Sequence, residues 1–190
     1  MSNRVSKAVL LCEDQEHQRL VFAFLKRCGI KNPGRIVRAR VASLMRAGGN
    51  IGWVLDELPK ELRAFRNRQS KANSLLIVVA DADDCSVQDR RAQLNERVRQ
   101  AKLEPLRTGE SVALLIPKRN VETWIRYLLA EEVTETDDYK SSKPIGKDEF
   151  RKAADRLYDL SRPNAARDPK CPPALGEALP AWCMIGDCLR

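Results

Sequence analysis

Residues 75–84 read LLIVVADADD, and this stretch decides the fold class. Its first six residues, Leu75 to Ala80, are apolar and rich in β-branched side chains, which is typical of a strand buried on both faces. The apolar run then stops at an acidic segment that contains Asp81, Asp83 and Asp84. Because a strand buried on both faces needs helices on either side of its sheet, the stretch predicts an α/β protein with a parallel sheet.

Similar segments recur on both sides of this strand. We predict further strands over residues 7–12 (KAVLLC), 35–41 (RIVRARV) and 111–116 (SVALLI). Apolar residues at helical spacing predict helices over residues 14–29, 51–70, 87–102 and 121–129, with Pro59 splitting or kinking the second. The alternation of strands and helices predicts a parallel sheet of about four strands flanked by helices.

The composition changes after about residue 131. The segment TETDDYKSSKPIGK is polar, residues 148–160 have helical spacing, and residues 161–173 are typical of a loop. We therefore predict one α/β domain over residues 1–131 and a helical C-terminal extension over residues 132–190 that packs on the same domain.

Composition and charge limit the classes of protein. The chain has 190 residues, of which 43% are hydrophobic and 32% charged, which excludes disordered and low-complexity classes. No stretch approaches the roughly 20 apolar residues of a membrane span, and we expect no secretory signal, no membrane association and a cytoplasmic location. The net charge of +8 favours polyanionic partners, with nucleic acid first. Without a C-x-x-C pair, and with His17 as the single histidine, a zinc site is not expected.

Acidic residues follow two of the predicted strands. Glu13 and Asp14 come after the first, and Asp81 begins the acidic segment after the third. In open parallel sheets, ligands bind beyond the carboxyl ends of the strands. Alternate residues of an extended segment point the same way, so Asp81 and Asp83 are expected to face one site. Converging carboxylates repel one another unless a cation binds, which predicts a site for Mg²⁺ or Mn²⁺; alternatively, Asp14 and Asp84 merely cap helices.

This pattern resembles the Toprim family, whose hallmark is a glutamate at the end of the first strand and an Asp-x-Asp at the end of the third. The matching residues are Glu13 in VLLCED and Asp81 with Asp83 in IVVADAD, and the resemblance spans about residues 5–130. Asp14 stands where Toprim proteins commonly have a glycine. CEDQEH, VVADADD, LLIPKRNVETW and the Gly48-Gly49 loop are also similar to small stand-alone prokaryotic Toprim-like proteins.

The resemblance implies a metal-dependent nuclease that hydrolyses phosphodiester bonds of DNA or RNA, with residues 1–131 as the catalytic domain. It implies that Asp81 and Asp83 bind Mg²⁺ or Mn²⁺, with Glu13 as a further metal ligand or as the general base. It also implies a role in prokaryotic antiviral defence, beside an ATPase partner protein. The sequence leaves open whether the chain forms a homo-oligomer.

Further charged residues are assigned to the same site. Lys118 and Arg119 follow the fourth strand and either neutralise phosphate charge or are solvated loop cations. Glu122 either compensates a helix dipole or contributes a catalytic carboxylate or metal ligand. We also predict a nucleic-acid-binding surface formed by Arg35, Arg38, Arg40, Arg63, Arg66 and Arg119. Alternatively, these arginines form a solvated charged face. His17 lies one turn into the first helix, near Glu13, and is predicted to face solvent; alternatively, it assists the site.

Two other functions fit the pattern. The first is a non-catalytic Toprim-like module that binds nucleic acid or a partner protein, because a fold does not imply an activity. The second is a receiver-like signalling domain. In that reading Glu13 and Asp14 are the acidic residues after the first strand, Asp81 accepts the phosphoryl group, and Lys118 is the lysine that receivers use later in the chain. Binding of nucleic acid without cleavage favours the first, and phosphorylation by a small phosphodonor favours the second.

Overall fold

The structure is a computed structural model that describes residues 5–45, 50–69, 73–107, 109–140, 143–166 and 168–189. Four strands form one sheet in which every neighbouring pair is parallel. The strands are β1 (Lys7–Cys12), β2 (Val37–Val41), β3 (Ser74–Val79) and β4 (Val112–Leu115). Helices flank this sheet, so the predicted α/β class is confirmed.

The order of the strands across the sheet is β2-β1-β3-β4, with β1 and β3 in the centre. All six residues of β3 are buried, which is why residues 75–79 are apolar on both faces of the strand. Chain connections run outward in opposite directions from β1 and β3, so the crevice between their carboxyl ends is the topological switch point of the sheet. In open α/β sheets this crevice is where ligands bind.

Eight helices are described: α1 (Gln15–Arg27), α2 (Pro33–Ile36), α3 (Ala42–Met45), α4 (Ile51–Gln69), α5 (Val87–Gln100), α6 (Val121–Leu128), α7 (Lys147–Leu160) and α8 (Pro173–Leu189). Helices α2 and α3 are not among the predicted helices, and α4 differs from its prediction. Residues 35–36, which were predicted to begin a strand, belong to α2, because Pro33 has the backbone angle that suits a first helical turn. In α4, Pro59 does not split the helix, since buried residues on both sides of it, including Val54 and Leu62, pack on the core.

Helices from the C-terminal part share the hydrophobic core of the sheet. Helix α7 packs on α1, and α8 packs on β3 and β4. Trp182 of α8 is buried against Phe24 of α1, with ring centroids 4.8 Å apart. The backbone amide of Val5 donates to the carbonyl of Cys188 at 2.8 Å, which joins the two ends of the described chain. Among the described residues, no helix combines the length and the apolar character needed to cross a bilayer.

Candidate metal centre at the carboxyl edge of the sheet

Asp81 lies two residues beyond the end of β3 and is fully buried. Its backbone amide donates to Glu13 Oε1 at 2.8 Å, and this hydrogen bond links the ends of the two central strands. Glu13 is itself 7% exposed. The two acidic residues that end β1 and β3 are therefore neighbours at the switch point, as parallel strands require.

His17 lies between two carboxylates and is fully buried, so the prediction that it faces solvent is wrong. Its Nε2 is 2.9 Å from Asp81 Oδ1, and its Nδ1 is 2.9 Å from Asp14 Oδ1. The cause is the start of α1 at the sheet edge. Asp14 is the N-cap and accepts the backbone amide of His17 at 3.1 Å, which confirms its capping role and points the third helical residue into the site.

The electrostatic environment of His17 favours its charged form. Burial alone would lower its pKa, but the charge of Asp81 and the hydrogen bonds to Asp14 and Asp81 raise that pKa well above the ordinary value. Each ring nitrogen of His17 lies within hydrogen-bond distance of a carboxylate oxygen, and Nδ1 also lies 3.4 Å from the backbone amide of Asp14. For Asp14, burial is outweighed by the hydrogen bonds and charge of His17, which lower the pKa of Asp14 to about 2.

Potential ligand atoms of Asp14, His17 and Asp81 all lie within 4.8 Å of one another. A histidine that binds a metal must be neutral, with a free lone pair on one ring nitrogen. Because both nitrogens of His17 are engaged by carboxylates, it orients Asp14 and Asp81 and leaves their second oxygens for a cation. Asp14 and Asp81 are thus the candidate ligands, and His17 is the residue that positions them.

Two further carboxyl groups have raised pKa values. Burial and the charge of Asp81 raise the pKa of Glu13 from 4.5 to about 7. Burial, with smaller contributions from Asp81 and Asp14, raises the pKa of Glu122 from 4.5 to about 7. Glu122 is 8% exposed, and its Oε2 has no hydrogen-bond partner among the described residues. We call Glu13, Asp14, Asp81 and Glu122 the acidic cluster.

Lys140 also reaches the acidic cluster, and the sequence analysis missed it. Its Nζ is 3.1 Å from Asp81 Oδ2. Burial opposes its charge, but the proximity of Asp81 raises the pKa of Lys140 above its ordinary value. Lys140 lies in a polar stretch between α6 and α7 that has no local periodicity.

Asp83 is oriented differently from the expectation for an extended segment. Its φ is 53°, in the left-handed region, so the alternation of side chains stops at this residue. Its side chain is 40% exposed and lies 3.5 Å from Arg90, at the rim of the acidic cluster. Burial and the charge of Asp81 raise the pKa of Asp83. Its role as a metal ligand stays a prediction.

Lys118 and Arg119 both contact the turn that follows β3. Lys118 Nζ donates to the carbonyl of Cys85 at 2.8 Å. Arg119 forms an ion pair with Asp84, so Asp84 does not cap α5, whose N-cap is Ser86. Lys118 therefore holds this turn in place, and Arg119 lies at its exposed edge. Their predicted contacts with nucleic acid stay predictions.

Most of the arginines that were predicted to bind nucleic acid have partners within the chain. Arg38 and Arg40 both form ion pairs with the buried Glu61, at 2.9 and 2.5 Å. Arg66 pairs with Glu110 at 2.8 Å, and Arg63 donates to a backbone carbonyl at 3.2 Å. Arg35 is exposed on α2. Much of this positive charge is thus used to hold α4 against its neighbours. The Gly48-Gly49 loop of the sequence analysis lies outside the described residues.

Comparisons with known protein families, with curated proteins and with solved structures find no match. The Toprim resemblance therefore stays a prediction from the sequence motifs.

Proposed function

We propose that this chain is a divalent-metal-dependent nuclease that hydrolyses phosphodiester bonds of DNA or RNA. The observation that carries the proposal is the acidic cluster at the switch point of the sheet. Its four carboxyl groups face two cations, His17 and Lys140, and two of the carboxyl groups have pKa values raised to about 7. Burial, with smaller contributions from neighbouring carboxylates, disfavours the charged forms of these two groups, and a further cation would favour them.

The available donor atoms fit a hard ion. His17 engages one oxygen each of Asp14 and Asp81, and the amide of Asp81 engages one oxygen of Glu13. Each of these three carboxyl groups has a second oxygen. A set of carboxylate oxygens suits Mg²⁺ or Mn²⁺, whereas zinc favours sites that include thiolate or imidazole.

When bound there, such an ion would lower the pKa of a water molecule and neutralise charge on a phosphate. The residues of the chain supply the remaining functions. Asp14, Asp81 and Glu13 would hold the ion, and His17 fixes the direction of the first two. Glu122 is the proposed general base, because it is buried beside the cluster, has an unpartnered oxygen and has a pKa near neutrality.

The Toprim resemblance of Glu13, Asp81 and Asp83 supports the same reaction. It also supports a cytoplasmic role in antiviral defence beside an ATPase partner, which the proposal includes.

The proposal is tested by cleavage of plasmid DNA and of structured RNA with Mg²⁺, with Mn²⁺ and with EDTA. Wild type is compared with Asp81→Asn, Glu122→Gln and the matched control Asp159→Asn, an exposed aspartate on α7. We expect metal-dependent cleavage that falls at least about 100-fold in Glu122→Gln, is lost in Asp81→Asn and is unchanged in the control. Nucleic-acid binding that EDTA does not affect, without cleavage, would instead identify a non-catalytic binding module.

A further inference from the structure

Lys140 contacts the one carboxylate at the centre of the acidic cluster. Asp81 is fully buried, and its Oδ1 contacts Nε2 of His17 at 2.9 Å. Its Oδ2 lies 3.1 Å from Lys140 Nζ, and the Lys140 side chain is 42% exposed. The ammonium group therefore holds the oxygen of Asp81 that His17 leaves available to a metal ion.

Two hydrogen bonds to Asp138 set the position of the Lys140 backbone. Asp138 Oδ1 accepts from the backbone amide of Lys140 at 2.9 Å and from the side-chain amide of Asn120 at 2.9 Å. Asn120 is fully buried and caps α6, the helix that carries Glu122. The backbone of Lys140 is thus fastened to the same helix end that presents Glu122 to the cluster.

The side chain of Lys140, in contrast, is attached to irregular backbone. Among the described residues between α6 and α7, none belongs to a helix or strand. A lysine is a compact charge on a flexible four-carbon stem. Its ammonium group can therefore leave Asp81 while its backbone stays fastened to Asn120 through Asp138.

We propose that Lys140 is an internal countercation that competes with the divalent ion for Asp81 and, once displaced, binds a phosphate of the substrate. The inference rests on the proposed function. A divalent ion attracts the Asp81 carboxylate more strongly than a single ammonium charge does. The displaced ammonium remains at the mouth of the site, where phosphate charge arrives. Metal loading thereby exposes the cation that recognises the substrate.

The first test measures binding of Mn²⁺ to the metal-free protein, with free Mn²⁺ followed by electron paramagnetic resonance. Lys140→Met removes the charge and keeps the length of the side chain. We expect it to bind Mn²⁺ about tenfold more tightly than wild type, because the competing cation is gone. Lys140→Arg keeps a cation and should stay near wild type. Lys143→Met, an exposed lysine nearby, is the matched control and should also match wild type.

The second test measures binding of a fluorescein-labelled hairpin oligonucleotide by anisotropy, in Ca²⁺ and over a range of salt concentrations. Loss of one phosphate contact in Lys140→Met should weaken binding and reduce the slope of log affinity against log salt by about 1. Lys143→Met should keep the slope of wild type. An unchanged slope in Lys140→Met would overturn the phosphate-binding part of the inference.

The outcomes separate this inference from the proposed function. If wild type binds Mn²⁺ and Lys140→Met binds it no more tightly, the competition is refuted and the proposed metal site stands. If Lys140→Met binds Mn²⁺ and wild type does not, the competition is supported in its strongest form. If neither protein binds Mn²⁺, the proposed metal site and the inference fall together.

Discussion

Replacing Glu122 with glutamine tests the electrostatic state of the acidic cluster directly. The folded protein raises the pKa of Glu122 from 4.5 to about 7, chiefly through burial. A raised acid pKa means that the folded state holds the proton more tightly than the unfolded state does. Ionised Glu122 therefore destabilises the fold, and this loss of stability develops as the pH rises from 4.5 towards 7 and is complete above it.

The magnitude follows from the difference between the two pKa values. At about 1.4 kcal/mol per pH unit, the wild type should lose about 2.5 kcal/mol between pH 5 and pH 8.5 through this one group. Glu122→Gln does not titrate, so its free energy of unfolding should gain that amount relative to wild type over the same interval. Any constant cost of the buried amide cancels, because the comparison is between two pH values.

The assay is urea unfolding of the metal-free proteins in EDTA, at several pH values from 5 to 8.5. Glu132→Gln replaces an exposed carboxylate outside the cluster, with 96% of its side chain accessible. Its difference from wild type should stay constant with pH. A difference for Glu122→Gln that stays within about 0.5 kcal/mol across the range would refute the assignment of Glu122 as a buried acid with a raised pKa.

Three further predictions concern the same molecule. His17→Ala removes the cation between two carboxylates, so the free energy of unfolding should fall by about 3–5 kcal/mol in urea melts. Folding raises the pKa of His17, so this loss should be full below the ordinary histidine pKa of 6.5. The loss should shrink as the pH rises through the pKa of His17 in the folded protein. Trp182→Ala should cost about 3–5 kcal/mol by cavity formation, and a smaller cost would show that α8 packs loosely on the sheet. Mn²⁺ at about 100 times its Kd should stabilise wild type by about 2.7 kcal/mol in thermal melts but leave Asp81→Asn unchanged; equal stabilisation of both would place the metal elsewhere.

The fold was predictable where a segment has one strong pattern. Residues 75–79 of β3 are all apolar because both faces of the strand are buried, and no helix of ordinary amphipathic pattern would carry that sequence. Pro59 shows the limit of such local rules. A proline inside a helix costs free energy, and in α4 this cost is opposed by the burial of side chains on both sides of Pro59, among them Leu58 and Leu62. The sequence alone does not show which of the two contributions is larger.

The candidate site was predictable in part for the same reason. Glu13 and Asp81 were found because they end buried parallel strands, and the topology then brings them together. The side-chain alternation that was expected for Asp83 stops at this residue, because the rule needs extended backbone and the φ of 53° ends that conformation. His17 had a usable signal, since Asp14 as N-cap places the third residue of α1 over the sheet edge. Lys140 had no such signal, because its position depends on the packing of Asp138 against Asn120.

The arrangement around Asp81 explains why the acidic cluster is tolerated in the folded protein. A fully buried carboxylate is costly unless it is paired, and Asp81 has one cation at each oxygen, at 2.9 and 3.1 Å. The two cations differ in kind. His17 is enclosed and fixed by a second carboxylate, whereas Lys140 is partly exposed on a flexible stem. Exchange of a countercation can therefore occur at Oδ2 while His17 keeps the direction of the carboxylate, and this asymmetry is what a preorganised site with an exchangeable ion requires.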